Sequence, residues 1–64
     1  MDENEKEIMK CLEKQGKLSQ YQIQKRTLLS NNTAVITLYK LKDKRLVDFE
    51  REKKGRKPIM WWIV

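Results

Sequence analysis

The residues best suited to binding chemistry in this chain of 64 residues are positively charged, and they cluster near its C-terminal end. Residues 50 to 58 run Glu-Arg-Glu-Lys-Lys-Gly-Arg-Lys-Pro, which places five positive charges around Gly55. Two strand-like runs, Val47 to Glu50 and Ile59 to Val64, flank this segment. We therefore predict a hairpin with a glycine-containing turn, whose cationic tip is suited to contact with phosphate groups.

The net charge of +6 is unevenly distributed, because residues 1 to 13 contain five carboxylates and only two lysines. A positive excess favours attraction to a polyanion, whether DNA, RNA or an acidic membrane surface, and nucleic acid is the first choice. The longest uncharged apolar run, residues 58 to 64, is far below the ~20 residues that span a bilayer. We expect one soluble, cytoplasmic domain covering residues 1–64, with no membrane partner.

The composition argues against catalysis and metal binding. The chain contains no histidine, and Cys11 is its only cysteine. An internal disulfide, a tetrahedral metal site and the usual pairs of nucleophile and base therefore cannot be assembled. We expect no enzymatic activity, no cofactor, no metal and no small-molecule ligand.

Local signals divide the first half of the chain into two helices and a short extended link. Asp2 or Asn4 can cap a first helix, which ends at Gln15-Gly16 because glycine tolerates the left-handed conformation of a helix stop. Lys17-Leu18 is the extended link and can add a third strand to the hairpin. Ser19 and Gln22 have the spacing of a capping box, so a second helix is predicted at about residues 20 to 27.

A third helix is predicted from about Asn32 to Lys44, with Ser30 or Asn31 as its cap. One apolar stripe on this helix would pack over the first two helices, and it consists of Ala34, Leu38 and Leu41. The opposite face points outward and is the candidate recognition surface. It consists of Asn32, Ile36, Tyr39, Lys40 and Asp43, with Thr33 and Thr37 on one flank.

This order of elements resembles the winged helix-turn-helix family of DNA-binding domains, an α+β fold of three helices and a C-terminal β-hairpin wing. The resemblance covers nearly the whole chain. It is carried by Leu18-Ser19, Ile23, Leu29-Ser30, Leu38 to Leu41, Leu46-Val47 and the wing sequence Gly55-Arg56-Lys57-Pro58.

The resemblance implies sequence-specific binding of double-stranded DNA by a transcriptional regulator. In that family the third helix lies in the major groove and the wing reaches the minor groove or the backbone. Many members are homodimers, so a homodimer is a further expectation. The candidate DNA-binding residues are Asn32, Thr33, Ile36, Thr37, Tyr39, Lys40, Lys53, Lys54, Arg56 and Lys57.

Several of these residues have a second interpretation. Asn32 can contact adenine or cap the helix, and Tyr39 can contact DNA or pack against the wing. Ile36 can touch a thymine methyl group or mark a protein interface, which makes a protein-interaction module the main alternative function. Trp61 and Trp62 must point to opposite faces of a strand, so one completes the core and the other lies outside it or in an interface.

A second resemblance concerns the branch of the family that binds Z-form nucleic acid. Tyr39 on the third helix, together with Pro58 and Trp61 after the wing, is similar to residues with which that branch meets the left-handed backbone. The chain departs from that branch at two places. Val35 stands where the branch has asparagine, and one proline stands where it has two. Z-form binding is therefore a minor alternative.

Overall fold

The computed structural model describes residues 1–50 and 55–64. The predicted order of elements is confirmed, and the fold is the predicted α+β fold of three helices and a small sheet. The helices are α1 (Glu3–Gln15), α2 (Gln20–Thr27) and α3 (Asn31–Asp43), and the strands are β1 (Lys17–Ser19), β2 (Val47–Phe49) and β3 (Met60–Ile63).

Side-chain caps set the start of every helix. The Asp2 carboxylate accepts a hydrogen bond of 2.8 Å from the backbone N–H of Glu5, which decides between the two predicted caps of α1. Ser19 and Gln22 form the predicted capping box of α2. Ser30 caps α3, so this helix begins at Asn31, one residue earlier than the sequence indicated. These caps supply partners for backbone N–H groups that have none within the helix.

The three strands form an antiparallel sheet in the order β1-β3-β2, so the extended link after α1 does add the third strand. Leu18 and Phe49 lie opposite Trp61 on the face that packs against the helices. Lys17 and Asp48 lie opposite Trp62 on the other face. Residues that lie opposite each other on neighbouring strands share a face of the sheet, because side chains alternate between the two faces along each strand.

The core lies between the three helices and this sheet. Trp61 is 4% exposed and belongs to the core, whereas Trp62 is half-buried on the opposite face. The predicted stripe of α3 is fully buried, and the small Ala34 side chain occupies its first position. The buried apolar residues are Ile8, Leu12, Leu18, Ile23, Ala34, Leu38, Leu41, Val47 and Trp61.

One charged side chain is also buried, at the point where α1 meets the end of α3. Glu5 is 3% exposed, and its carboxylate accepts a hydrogen bond of 2.7 Å from the Lys44 ammonium group. The same side chain also completes the capping box of α1. The pair therefore fixes the first turn of α1 against the last turn of α3.

Among the helices that the structure describes, none is long and apolar enough to cross a membrane.

Candidate nucleic-acid interface

The outward face of α3 lies where the sequence predicted it. Ile36 and Tyr39 are 56% and 53% exposed, although both are large apolar or aromatic side chains. The remaining members of this face, Asn32, Lys40 and Asp43, are also exposed. An accessible helix face that combines an amide, a cation, an aromatic ring and an aliphatic group offers the contacts by which side chains meet base edges and phosphates.

The two threonines on the flank of α3 are less accessible than this face. Thr37 is 4% exposed, and its hydroxyl group donates a hydrogen bond of 2.6 Å to the backbone carbonyl of Thr33. Its position explains this burial, because it follows Ala34 by three residues and precedes Leu41 by four and so borders the core stripe. The expectation that Thr37 belongs to the accessible flank is corrected. Thr33 is half-buried, and its hydroxyl accepts a hydrogen bond from the Ser30 hydroxyl.

The lysines of α3 differ in their surroundings. Lys42 forms an ion pair with Asp48 at 3.3 Å, and Lys44 forms the pair with Glu5. Lys40 is exposed, and no ion pair joins it to another residue within positions 1–50 and 55–64. Of these three lysines, Lys40 is therefore the one most open to an incoming phosphate, and a competing anion nearby is Asp2, whose pKa is lowered first by the Glu5 backbone N–H and also by the Lys40 charge.

Tyr39 connects the exposed face of α3 to the sheet. The centre of its ring lies 6.2 Å from that of Phe49 and 5.7 Å from that of Trp61, and both pairs have edge-to-face geometry. The rings of Phe49 and Trp61 stack, with their centres 4.6 Å apart. Edge-to-face aromatic pairs of this kind are favourable. Tyr39 thus packs against the strands that carry the wing, and half of its surface still faces solvent.

We define the wing as residues 50–59, which join β2 to β3. Gly55 adopts φ +63°, a left-handed conformation that favours glycine, and no described residue other than its chain neighbours comes within 4 Å of the position where a Cβ would be. Arg56 and Lys57 are exposed beside it. Lys53 and Lys54, which the sequence also proposed for DNA contact, lie outside the described residues.

Residues of the wing and of α3 line one open groove with a volume of about 430 Å³. Its lining includes Pro58 and Ile59 of the wing and Asn31 and Tyr39 of α3. Tyr39, one residue of the exposed face of α3, therefore borders the same concave surface as the part of the wing that leads into β3. This is the arrangement that a single duplex would need in order to touch both.

The groove also contains residues that the sequence did not single out. The Asn31 side-chain oxygen accepts hydrogen bonds from the side-chain amides of Gln20 and Gln24, which joins the start of α3 to α2. Tyr21 lines the groove as well, and the Lys25 ammonium group lies 5.1 Å from the centre of its ring. The sequence contains one signal that could have indicated the two glutamines, namely their spacing of four residues, which places both side-chain amides on one face of α2.

No group of histidine, cysteine, aspartate and glutamate side chains in the described part of the chain is arranged to hold a metal ion.

The fold and this interface define a winged-helix domain. The sequence profile of the TFIIE alpha subunit family matches residues 1–63, and the chain belongs to that family. No curated protein matches the chain.

Solved structures with the same fold include a eukaryotic domain and bacterial regulators. The Zalpha domain of Carassius auratus PKZ, crystallised with Z-DNA, is 28% identical, with a TM-score of 0.84 over 95% of this chain and 92% of that one. Lactococcus lactis ZitR in complex with DNA is 17% identical, with a TM-score of 0.88 over 100% of this chain and 43% of that one. The MarR family regulator NMB1585 of Neisseria meningitidis is 16% identical, with a TM-score of 0.85 over 100% and 45%.

The chain spans less than half the length of these two bacterial proteins. At their level of identity, the likeness establishes the winged-helix fold alone.

Proposed function

We propose that this chain binds double-stranded DNA sequence-specifically as part of a transcriptional regulator. In this proposal α3 lies in the major groove, and the wing contacts the minor groove or the backbone. The observation that carries the proposal is the shared groove, because Tyr39 of α3 and Pro58 of the wing line it together. Membership in the TFIIE alpha subunit family and the DNA-bound neighbours support the same function.

The exposed face of α3 would read the bases. The Asn32 amide suits an adenine edge, and the Ile36 side chain suits the methyl group of thymine. Lys40 would neutralise a phosphate. Asp43 is exposed on the same face and repels phosphate, so we propose that α3 approaches the duplex as far as Lys40 and that its end at Asp43 stays away from the phosphates.

The wing would supply most of the electrostatic attraction. Arg56 can enter a narrow minor groove or clamp a phosphate through its planar guanidinium group. Lys57 would pair with a neighbouring phosphate, and Lys53 and Lys54 add charge to the same segment of the sequence. These residues raise affinity for any sequence, whereas specificity comes from α3.

The proposal is tested by selecting bound duplexes from a random pool and then titrating the selected duplex with two charge-reversed variants. The first variant carries Arg56→Glu and Lys57→Glu. The second carries Lys10→Glu and Lys14→Glu, which makes the same change of charge on exposed positions of α1. We expect the wing variant to lose at least about 100-fold in affinity and the α1 variant to lose far less. Equal losses of DNA affinity in the two variants would contradict an interface located at the wing.

Binding to Z-form nucleic acid is the second candidate, and two observations favour it. The Zalpha domain crystallised with Z-DNA is 28% identical to this chain, and Tyr39 meets Trp61 edge to face. Circular dichroism of an alternating CG duplex separates this candidate from the first. Z-form binding would invert the spectrum as protein is added, whereas B-form recognition would leave the sign of the spectrum unchanged.

A protein-interaction module is the third candidate, and the exposure of Ile36 favours it. Val35 and Ile36 line a shallow depression on α3 together with Lys40 and Lys42. Contact through an apolar patch would survive the reversal of charge in the wing. Failure of the selected pool to yield any duplex, together with unchanged partner capture by the wing variant, would favour this candidate.

A further inference from the structure

The face of the sheet opposite the helices carries an apolar column along its central strand. The alternation of side chains along β3 places Met60, Trp62 and Val64 on this face, because Trp61 points into the core. Val64 follows β3 directly, and its backbone N–H still donates to the carbonyl of Leu46. Trp62 and Met60 are half-buried, and Val64 is 76% exposed.

Opposite charges flank the middle of this column. Lys17 of β1 and Asp48 of β2 both lie opposite Trp62 in the register of the sheet. The Lys17 ammonium group lies 5.0 Å from the centre of the Trp62 ring. The Asp48 carboxylate pairs with Lys42, and its side chain retains 32% of its exposure. One row across the sheet therefore contains a cation, an indole ring and an anion, in that order.

We propose that this outer sheet face, defined as Lys17, Asp48, Met60, Trp62 and Val64, is the contact between two copies of the chain. The two copies are related by a two-fold axis parallel to β3. This axis stacks the two Trp62 side chains against each other. It also places Lys17 of each copy opposite Asp48 of the other, so that the same patch is complementary to itself.

The charges select this axis over the alternative. A two-fold axis lying in the interface but perpendicular to β3 would place Lys17 against Lys17 and Asp48 against Asp48. Like charges placed opposite each other disfavour an association. Asp48 already pairs with Lys42 and accepts a hydrogen bond of 2.8 Å from the backbone N–H of Phe49, so its contact with Lys17 of the other copy is an attraction between charges and does not require a vacant acceptor site.

The proposed axis also suits contact with one duplex, a consequence that depends on the DNA-binding function proposed above. The wing leaves the sheet at the Met60 end of β3. A two-fold axis parallel to β3 carries both wings to the same end of the dimer, where both can reach a single duplex. The preferred site is then a palindrome, since the symmetry of the site follows that of the protein.

We expect this dimer to be weak. A face of three strands with three or four residues each is smaller than the patch of about 800 Å² per partner that stable complexes bury. The dimer therefore forms reversibly, at protein concentrations on the order of hundreds of micromolar.

Sedimentation equilibrium without DNA tests the proposal. The mass of the wild-type protein should rise with concentration from 7.8 kDa towards twice that value. Lys17→Glu alone and Asp48→Lys alone should each remain monomeric, because each creates two repulsive pairs. An equimolar mixture of these two variants should again associate. In the mixed dimer the introduced glutamate of one chain faces the introduced lysine of the other, and the unchanged Asp48 faces the unchanged Lys17. Lys10→Glu on α1 is the matched control and should associate like the wild type.

A second measurement uses only the wild-type protein, so it does not depend on the variants folding. Concentration-dependent NMR shifts should concentrate at Trp62, Met60 and Lys17 and be absent from the exposed positions of α1. A monomer at every concentration, shifts confined to another surface, or variants that fold but fail to associate when mixed would each overturn the proposal. A monomer that still binds duplex with strong salt dependence would leave the proposed function intact and remove only the dimer.

Discussion

The rings of Tyr39 and Trp61 pack edge to face, with their centres 5.7 Å apart and an angle of 86° between their planes. Tyr39 lies on the exposed face of α3, and Trp61 lies on the strand that returns from the wing. This contact therefore joins the two elements that we propose to meet DNA. It fixes their relative orientation before any ligand arrives, which reduces the ordering required on binding.

Removing this ring should loosen the connection between α3 and the sheet. We expect Tyr39→Ala to lower the free energy of unfolding by about 1–2 kcal/mol, because two edge contacts and part of the ring's burial are lost. Tyr39→Phe retains the ring and should change stability by less than about 0.5 kcal/mol. Urea denaturation followed by tryptophan fluorescence measures both values. If Tyr39→Phe weakens DNA binding while stability is unchanged, the hydroxyl group contacts DNA. A loss of stability in Tyr39→Phe as large as that in Tyr39→Ala would contradict the edge contacts as the source of the effect.

Leu28 should be a site where substitution stabilises the protein. It ends α2 in the left-handed conformation, at φ 61°, and its side chain is 90% exposed. A side chain in this conformation costs about 1–2 kcal/mol, and Leu28 recovers almost none of it through burial. Leu28→Gly should therefore raise the unfolding free energy by about 0.5–1 kcal/mol after the greater flexibility of glycine in the unfolded chain is included. Leu28→Ala keeps the strained backbone and serves as the control. Thermal melts that rank alanine above glycine would contradict this account.

The pair between Glu5 and Lys44 should be asymmetric in its response to mutation. Lys44→Met leaves a buried carboxylate without its ammonium partner, so we expect a loss of about 1–3 kcal/mol in the unfolding free energy. Adding Glu5→Gln removes the unpaired charge and should recover part of this loss. Lys14→Met, at an exposed position of α1, is the control and should have little effect. If the double variant is less stable than Lys44→Met alone, the unpaired carboxylate is not the cause.

The cap of α1 should make stability depend on pH in the acid range. The backbone N–H of Glu5 donates to the Asp2 carboxylate and holds the pKa of Asp2 below its ordinary value of 3.8. The folded state thus favours the charged carboxylate, so its contribution to stability is present above the unfolded-state pKa. This contribution is lost as the pH falls through the lower pKa of the folded state. NMR titration of Asp2 should give a midpoint below 3.8. Asp2→Asn, which can still cap the helix, should show a smaller loss of stability over the same range, and an equal loss would contradict this assignment.

Most of the fold could be predicted from local signals. The capping box of Ser19 and Gln22 and the stop at Gly16 gave the bounds of α2 and the end of α1, because short-range hydrogen bonds set these positions. The assignment of Trp61 to the core required the pairing of β3 with Leu18 and Phe49. The pairing with Leu18 could not be read locally, because β1 lies far from β3 in the sequence.

The candidate site was less accessible to prediction than the fold. The exposed face of α3 follows from helical periodicity, and the observed exposure of Ile36 and Lys40 agrees with it. Periodicity places Thr37 at the border of the buried stripe, but whether a border position is covered depends on how closely the neighbouring elements pack, and here Thr37 is covered. The link from Asn31 to Gln20 and Gln24 depends on the angle between two helices, a tertiary property without a local signal.

The dependence of DNA affinity on salt shows whether α3 and the wing touch one duplex together. With four to six phosphates neutralised, the logarithm of the association constant should fall against the logarithm of salt with a slope of about −3.6 to −5.4. Lys40→Ala and Arg56→Ala should each reduce the steepness by about one, and the double variant should reduce it by about two. A slope that responds to only one of the two substitutions, or affinity that does not depend on salt, would contradict the shared interface.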